Sequence, residues 1–373
     1  MKGKIAYDPQ VFSFQVYGGV SRYFCEIAQN IAKSEAINVK IVAPFYVCNY
    51  LKTINQKIVF GFPAPNIRPL KLFLRLCSMV FGHFYLLYLN PKIIHETYFL
   101  PYALGPRNAT RVLTVYDMVH EKFPVAHFSQ DKASEYKAIA VQRADHIICI
   151  SETTKRDLID LLHVDSKKIS VIYLGHSTHE QIPKDFSSFK EILRSSYLLY
   201  VGQRSGYKNF KGFIKAYAQL NSIHSQYDIV CFGGGLLSQE EVDFIIQLGI
   251  SPEKVIHFSG GDEVLSCLYQ NATAFIYPSQ YEGFGLPPLE AMSNHCPVIC
   301  SNGGSIPEVV GDAGEYFDPN NVGDIKRAME KVLFQPVRQE ELKALGRLRI
   351  KQFSWERCAE ETLRLYERLA ISN

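Results

Sequence analysis

Short apolar runs alternate with longer stretches of helical period along most of the chain. In the first half the runs at Lys4–Asp8, Asn38–Ala43, Ile93–Tyr98, Arg111–Asp117, Asp145–Ile150 and Lys168–Gly175 read as strands. A helix is expected from Gly18 to about Lys33, and another from Glu152 to Leu162 behind the capping residue Ser151. In the second half the strand pattern recurs at Leu198–Gly202, Asp228–Phe232, Val255–Phe258, Ala274–Tyr277 and Val298–Cys300. Helical stretches separate these runs at Asn209–Leu220, behind Ser238, at Asp262–Tyr269 and from Leu289 onward. Ser238 with Glu241, and Ser305 with Glu308, have the spacing of capping boxes. This alternation predicts parallel sheets covered by helices on both faces. The polar stretch 176–189, broken by Pro183, predicts a linker between domains spanning 1–178 and 190–350. At the end of the chain, Trp355, Ala359, Leu363, Tyr366 and Leu369 fall on one helical stripe.

The segment 67–89 departs from this rhythm. Arg68, Lys71 and Arg75 precede a dense series of Leu, Phe, Val and Tyr. Two readings fit: a core helix with its few charges outward, or a helix lying on a membrane surface or a lipid-linked acceptor. No uncharged apolar run reaches the length of a spanning helix, and the opening Met-Lys-Gly-Lys-Ile leads into a strand without a signal-peptide core.

The 373 residues suffice for two full cores. A formal charge of +3 gives no ground for nucleic-acid binding. The nine cysteines are scattered, which favours free thiols in a reducing cytoplasm. His295, Cys296 and Cys300 match no common zinc spacing, and no Asp-x-Asp triplet occurs, so activity without a tightly bound metal is expected.

The richest stretch is Tyr281-Glu-Gly-Phe-Gly-Leu-Pro-Pro-Leu-Glu-Ala-Met292. It places Glu282 on the loop after a strand and Glu290 in the first turn of a helix whose opening tolerates Pro287 and Pro288. Gly283 and Gly285 allow close approach of backbone to a ligand, and N–H groups at the helix start suit an anion such as phosphate. Earlier in the same half, Arg204 and Lys208 follow a strand end and precede a helix. They read either as solvated cations or as a grip on a diphosphate. Gly18 and Gly19, between the first strand and its helix, read as a tight turn or as a phosphate approach.

The run EGFGLPPLE, with YPS before it and AM…PVI after it, resembles the Glu-x7-Glu signature of retaining nucleotide-sugar glycosyltransferases of the GT-B fold. The likeness is greatest to glycosyltransferase family 4, in the branch that builds bacterial surface polysaccharides. The resemblance implies two Rossmann-like α/β domains facing a cleft, with an acceptor-binding first domain and a nucleotide-sugar-binding second one. It also implies that a closing helix, 353–371, packs back on the first domain. By resemblance Glu290 binds ribose hydroxyls and Glu282 approaches the donor sugar. Gly283, Phe284, Gly285 and Leu286 meet sugar and diphosphate, Arg204 and Lys208 bind the diphosphate, and Gly18 and Gly19 lie near the distal phosphate. Relatives often carry a His-Asp pair at the end of the 111–117 strand. Here Tyr116 stands at the histidine position, so Asp117 and His120 are the candidates for contact with the sugar.

The expected activity is hexosyl transfer, with mannose one candidate, from a UDP- or GDP-sugar to a glycan or lipid-linked acceptor in polysaccharide or lipopolysaccharide synthesis. No cofactor beyond the donor is expected. The expected location is the cytoplasm, with peripheral contact at the inner face of the plasma membrane. A nucleotide-sugar epimerase or hydrolase of the same fold, or a non-catalytic nucleotide-sugar binder, is the alternative. A glycosidase would also use two carboxylates but gives Arg204, Lys208 and the glycine loop no role. A dinucleotide-dependent dehydrogenase is excluded because no Gly-x-Gly-x-x-Gly follows the first strand.

Overall fold

The computed structural model describes residues 4–34, 37–65, 67–123, 132–176, 196–220 and 226–371. The expected linker therefore lies, beyond His176, outside the described residues. The chain divides into two compact units. The first takes in the described residues up to Gly175 together with 354–371, and the second those from His176 to Phe353.

The first unit is built on a seven-stranded, all-parallel sheet in the order β3-β2-β1-β4-β5-β6-β7. The strands are β1 (Lys4–Tyr7), β2 (Asn38–Tyr46), β3 (Val59–Pro63), β4 (Ile93–Glu96), β5 (Thr110–Val115), β6 (His146–Cys149) and β7 (Ile169–Val171). Strand β3 has no apolar alternation to announce it. Gly61 and Pro63 interrupt the pattern, and the strand survives because it sits on an edge, where proline and glycine are tolerated. The buried residues Ala6, Val42, Met79, Leu86, Leu89 and Ile94 form one core cluster.

The helix α1 (Gly19–Ala32) buries Tyr23, Phe24, Ile27 and Ile31. The closing helix Trp355–Ile371 packs against it, with the Trp355 ring 6.4 Å from that of Tyr23. The buried face of the closing helix is rotated from the sequence stripe. Cys358, Thr362 and Leu365 are buried with Trp355, Ala359 and Tyr366, whereas Leu363 and Leu369 are half-buried. The polar members of this face explain the shift. The Tyr366 hydroxyl reaches His95 Nδ1 at 2.6 Å and Tyr7 Oη at 3.3 Å, and His95 Nε2 lies 2.8 Å from Thr114 Oγ1. Burial thus follows a hydrogen-bonded network as well as apolar content.

The segment 67–89 forms one helix, α2 (Arg68–Leu89), ended by Asn90 in the left-handed conformation at φ 44°. It runs unbroken past Lys71 and Arg75. Leu70–Leu89 is consequently long and apolar enough to cross a membrane by length and composition, although the sequence holds no uncharged run of that length. Its Ser78, Met79, Gly82, Leu86 and Leu89 face the unit, beside β2.

The second unit carries a six-stranded, all-parallel sheet in the order β10-β9-β8-β11-β12-β13. These strands are β8 (Ser196–Val201), β9 (Tyr227–Phe232), β10 (Val255–Phe258), β11 (Ala274–Tyr277), β12 (Val298–Ser301) and β13 (Gly314–Phe317). Its core joins Leu198, Tyr200, Phe213, Tyr217, Ile229 and Ile276 to Met329 and Val332 of the helix Val322–Phe334. The edge strand β13 was illegible because it carries Glu315. That carboxylate is buried against Lys331 at 3.0 Å and Arg338 at 2.9 Å, a pairing supplied by helices further along the chain.

Candidate active site

In an open parallel sheet, ligands bind beyond the carboxyl ends of the strands where the strand order reverses. In the second unit that reversal lies between β8 and β11, since β9 and β10 continue to one side and β12 and β13 to the other. The loops leaving these two strands are 202–209 and 278–285. They carry Arg204, Lys208, Glu282, Gly283, Phe284 and Gly285. Tertiary structure therefore brings together residues more than seventy positions apart.

Across the reversal, Lys208 Nζ donates to Glu282 Oε1 at 2.6 Å, with the two side chains 20% and 12% exposed. The ammonium also lies 5.2 Å from the Tyr207 ring centroid and 5.8 Å from that of Tyr277. The backbone ties the two loops together, Gln280 N donating to Tyr207 O at 2.7 Å.

Arg204 is placed differently. Its side chain is buried and turned toward the loop after β9. Nε donates to Glu241 at 2.8 Å, Nη1 to Gly233 O at 3.1 Å, and Nη2 to the carbonyls of Gly235 and Leu236, both at 2.9 Å. A single guanidinium thus fixes the glycine-rich turn, in which Gly233, Gly234 and Gly235 all take positive φ. Burial raises the Glu241 pKa, but the hydrogen bonds from Arg204 and Ser238 outweigh it and hold the carboxyl below its ordinary range. Glu241 also completes the capping box with Ser238.

The second expected capping box does not form. Ser305 precedes the helix Ile306–Val310 without capping it. Its hydroxyl instead donates to Glu282 O at 2.9 Å and Phe284 O at 2.8 Å, and its N–H to Glu282 O at 3.1 Å. The loop carrying the signature offers nearer acceptors than the serine's own helix. Gly304, at φ 57°, makes the close approach possible, because a Cβ there would sit 2.6 Å from both Glu282 N and O. Ser305 and Gly304 are the positioning residues that sequence reasoning missed. The Ser-Asn-Gly-Gly-Ser run, 301–305, before a proline-opened helix was the available signal.

The helix after the signature begins at Leu286, earlier than the pattern indicated, with Gly285 before it at φ 118°. Glu290 is therefore its fifth residue and lies beyond the first turn. Pro287 and Pro288 occupy the second and third positions and lack N–H groups. Anion-directed donors at this helix start are thus confined to the Gly285–Leu286 backbone and to Leu289.

In the first unit the strand order reverses between β1 and β4. The loop after β1 leads to Gly18 and Gly19. Gln15 Oε1 accepts the Ser21 N–H at 2.8 Å, and a side chain at Gly18 would collide with Gln15. The glycine here makes room for a cap on α1. Asp8, the residue after β1, sits in a buried nest, accepting from Thr97 N at 3.0 Å and Thr97 Oγ1 at 2.6 Å. Burial, aided by the Glu96 carboxylate, pushes its pKa up to about 6. Tyr116, at the position of the expected histidine, is buried and donates to Thr97 O at 3.4 Å. Asp117 Oδ1 accepts the Val119 N–H at 3.1 Å, and the buried Lys137 ammonium donates to the Asp117 carbonyl at 2.9 Å. His120 lies half-buried in the short helix Val119–Lys122. Among the described residues no group of three or more His, Cys, Asp or Glu is arranged to hold a metal ion.

Two all-parallel α/β units, each with its order reversed once, define the chain as a protein of the GT-B glycosyltransferase fold. A solved structure titled sucrose-phosphate synthase, from Thermosynechococcus elongatus, covers all of both chains with a TM-score of 0.77 at 19% identity. The profile described as Glycosyltransferase Family 4 matches residues 17–180, and that described as Glycosyl transferases group 1 matches 181–349. The chain belongs to this family of glycosyltransferases. Among curated relatives, the O-antigen chain mannosyltransferase B of Escherichia coli is 34% identical over 239 residues, 62% of each chain. The O-antigen chain mannosyltransferase RfbU of Salmonella typhimurium is 30% identical over 243 residues, 65% of each. The matched region thus spans somewhat under two thirds of these relatives.

Proposed function

We propose that the protein is a retaining hexosyltransferase that moves a hexose from a nucleoside-diphosphate sugar to a glycan or lipid-linked acceptor in surface-polysaccharide synthesis. The observation that carries this is the Lys208–Glu282 pair across the β8/β11 reversal, held between two built loops. The ammonium and the carboxylate, 2.6 Å apart, neutralise each other. A diphosphate arriving at the reversal competes for that ammonium and leaves Glu282 to accept from sugar hydroxyls. Arg204 shapes the floor on which the base rests, and Glu290 takes the ribose hydroxyls. Aimed donors of this kind stabilise the charge that develops on the leaving group. In the transfer itself the bond from the anomeric carbon to the diphosphate oxygen breaks. The acceptor oxygen bonds the same face, and its proton goes to the departing phosphate oxygen.

The mannosyltransferase relatives favour a mannosyl donor such as GDP-mannose, and the reading takes no metal and no cofactor beyond the donor. The nine free cysteines, eight of them buried, support a reducing cytoplasm, and α2 supports placement at a membrane surface. The test is turnover. The full chain is incubated with GDP-mannose and UDP-hexoses, with and without lipid-linked glycan, and released nucleotide is counted. Acceptor-dependent release that falls at least about a hundredfold in Glu282→Ala supports the reading. Equal release without acceptor would instead assign a hydrolase.

A further inference from the structure

Helix α2 has two apolar faces, and the fold uses one. Met79, Gly82, Leu86 and Leu89 recur at three- and four-residue spacing on the face toward the sheet. The opposite stripe, Phe73, Leu76, Val80, Phe84 and Leu87, follows the same spacing and is exposed, Phe73 and Leu76 at 60% and Phe84 at 63%. Leu72 and Tyr88 widen it, at 77% and 84% exposed. Phe62 on β3 extends it further. That strand adjoins the helix through Phe60, whose ring stacks on Tyr85 at 3.5 Å, and Phe62 itself is 73% exposed. A contiguous patch of this length marks an interaction surface.

Charge identifies the partner. Residues 36–95 hold Lys40, Lys52, Lys57, Arg68, Lys71, Arg75 and Lys92 and contain no aspartate or glutamate. The other 33 lysines and arginines share the remaining chain with all 37 acidic residues. The segment that bears the apolar stripe is therefore cationic, whereas the rest of the protein is net acidic. An aromatic and aliphatic stripe on a segment rich in lysine and arginine and without acidic residues fits an anionic bilayer surface. Crossing the bilayer does not fit, because the inner face of the helix is packed beside β2 as a layer of the unit.

We infer that α2 lies in the plane of an anionic membrane, with Phe73, Leu76, Phe84 and Tyr88 below the headgroups and Lys71 and Arg75 among the phosphates. This rests on the membrane-surface placement above and adds the lipid charge and the contact face.

Co-sedimentation of the full chain with vesicles tests it. Binding to phosphatidylglycerol-containing vesicles should exceed binding to pure phosphatidylcholine by at least about tenfold and weaken in high salt. A double Phe73→Glu, Phe84→Glu variant should lose about tenfold or more on both. A Lys71→Glu, Arg75→Glu variant should lose only the anionic preference. Fluorescence of Trp355, the only tryptophan, verifies that each variant is folded, and release of nucleotide from the donor in solution shows separately whether the site is intact. Equal binding to both vesicles overturns the lipid assignment. Unchanged binding of the phenylalanine variant overturns the contact face. A wild-type dimer that Phe84→Glu dissociates would give the face to a second copy of the chain and overturn both.

Discussion

His95 offers a quantitative test of how the closing helix is held. It is wholly buried, with both ring nitrogens in short contacts to Tyr366 and Thr114, and burial pushes its pKa down to about 3 from an ordinary 6.5. The folded protein therefore keeps this ring neutral while the unfolded chain takes up a proton below pH 6.5. Stability from this group is complete above that value and is lost as pH falls toward 3. Linkage gives a loss of about 2 kcal/mol between pH 7 and pH 5. Asp8 in the same unit acts in the opposite sense. Its folded pKa of about 6 lies above the ordinary 3.8, so the folded state binds the extra proton and stability declines as pH rises through that window. Lowering the pH from 7 to 5 returns about 1.4 kcal/mol through Asp8. In the wild type the second term offsets about two thirds of the first.

His95→Gln removes one of them. The variant is expected to be less stable at pH 7, and its loss relative to wild type should shrink by about 2 kcal/mol on going to pH 5. Urea unfolding followed by Trp355 fluorescence measures this directly. Trp355 sits in the closing helix against Tyr23, so it reports the unit that contains His95. Other titrating groups cancel in the difference between the two proteins. Parallel stability curves from pH 7 to 5 would show that His95 is protonated in the folded state and refute the reasoning.

Other expectations concern the second unit and Asp8. Ser305→Ala removes two hydroxyl bonds that hold the Glu282 loop, and should lower kcat/KM for donor by about 1–2 kcal/mol, roughly five- to thirtyfold, with a smaller effect on melting temperature. Gly304→Ala forces a Cβ against the Glu282 backbone at positive φ and should destabilise the second unit by about 2 kcal/mol or more, seen as a lower unfolding midpoint by circular dichroism. Arg204→Lys keeps the charge but cannot span Glu241 and the 233–236 carbonyls. It should weaken nucleotide binding by calorimetry at least about tenfold, and Glu241→Gln should weaken it less. Asp8→Asn should remove the gain in stability between pH 7 and pH 5, measured by the same tryptophan signal.

The elements that local chemistry decides were legible from residues alone. Strand–helix alternation, the Ser151 cap and the Ser238–Glu241 box each depend on neighbours within a turn or two, and each forms where the pattern put it. So did the placement of the Glu-x7-Glu signature on a strand-to-helix loop. Tertiary structure alone decided what depends on distant partners. Edge strands β3 and β13 exist because a neighbouring strand and a set of distant cations complete them, although their own residues break the apolar period. Ser305 left its helix for the Glu282 loop because two backbone acceptors reached it there. Arg204 turned toward the glycine loop because Glu241, thirty-seven positions on, neutralises it in a buried setting. The two apolar faces of α2 were indistinguishable in sequence, since both follow one helical period. Only the position of β2 determined which one is covered. Periodicity specifies local geometry, whereas burial, charge pairing and solvent exposure depend on what the folded chain brings alongside.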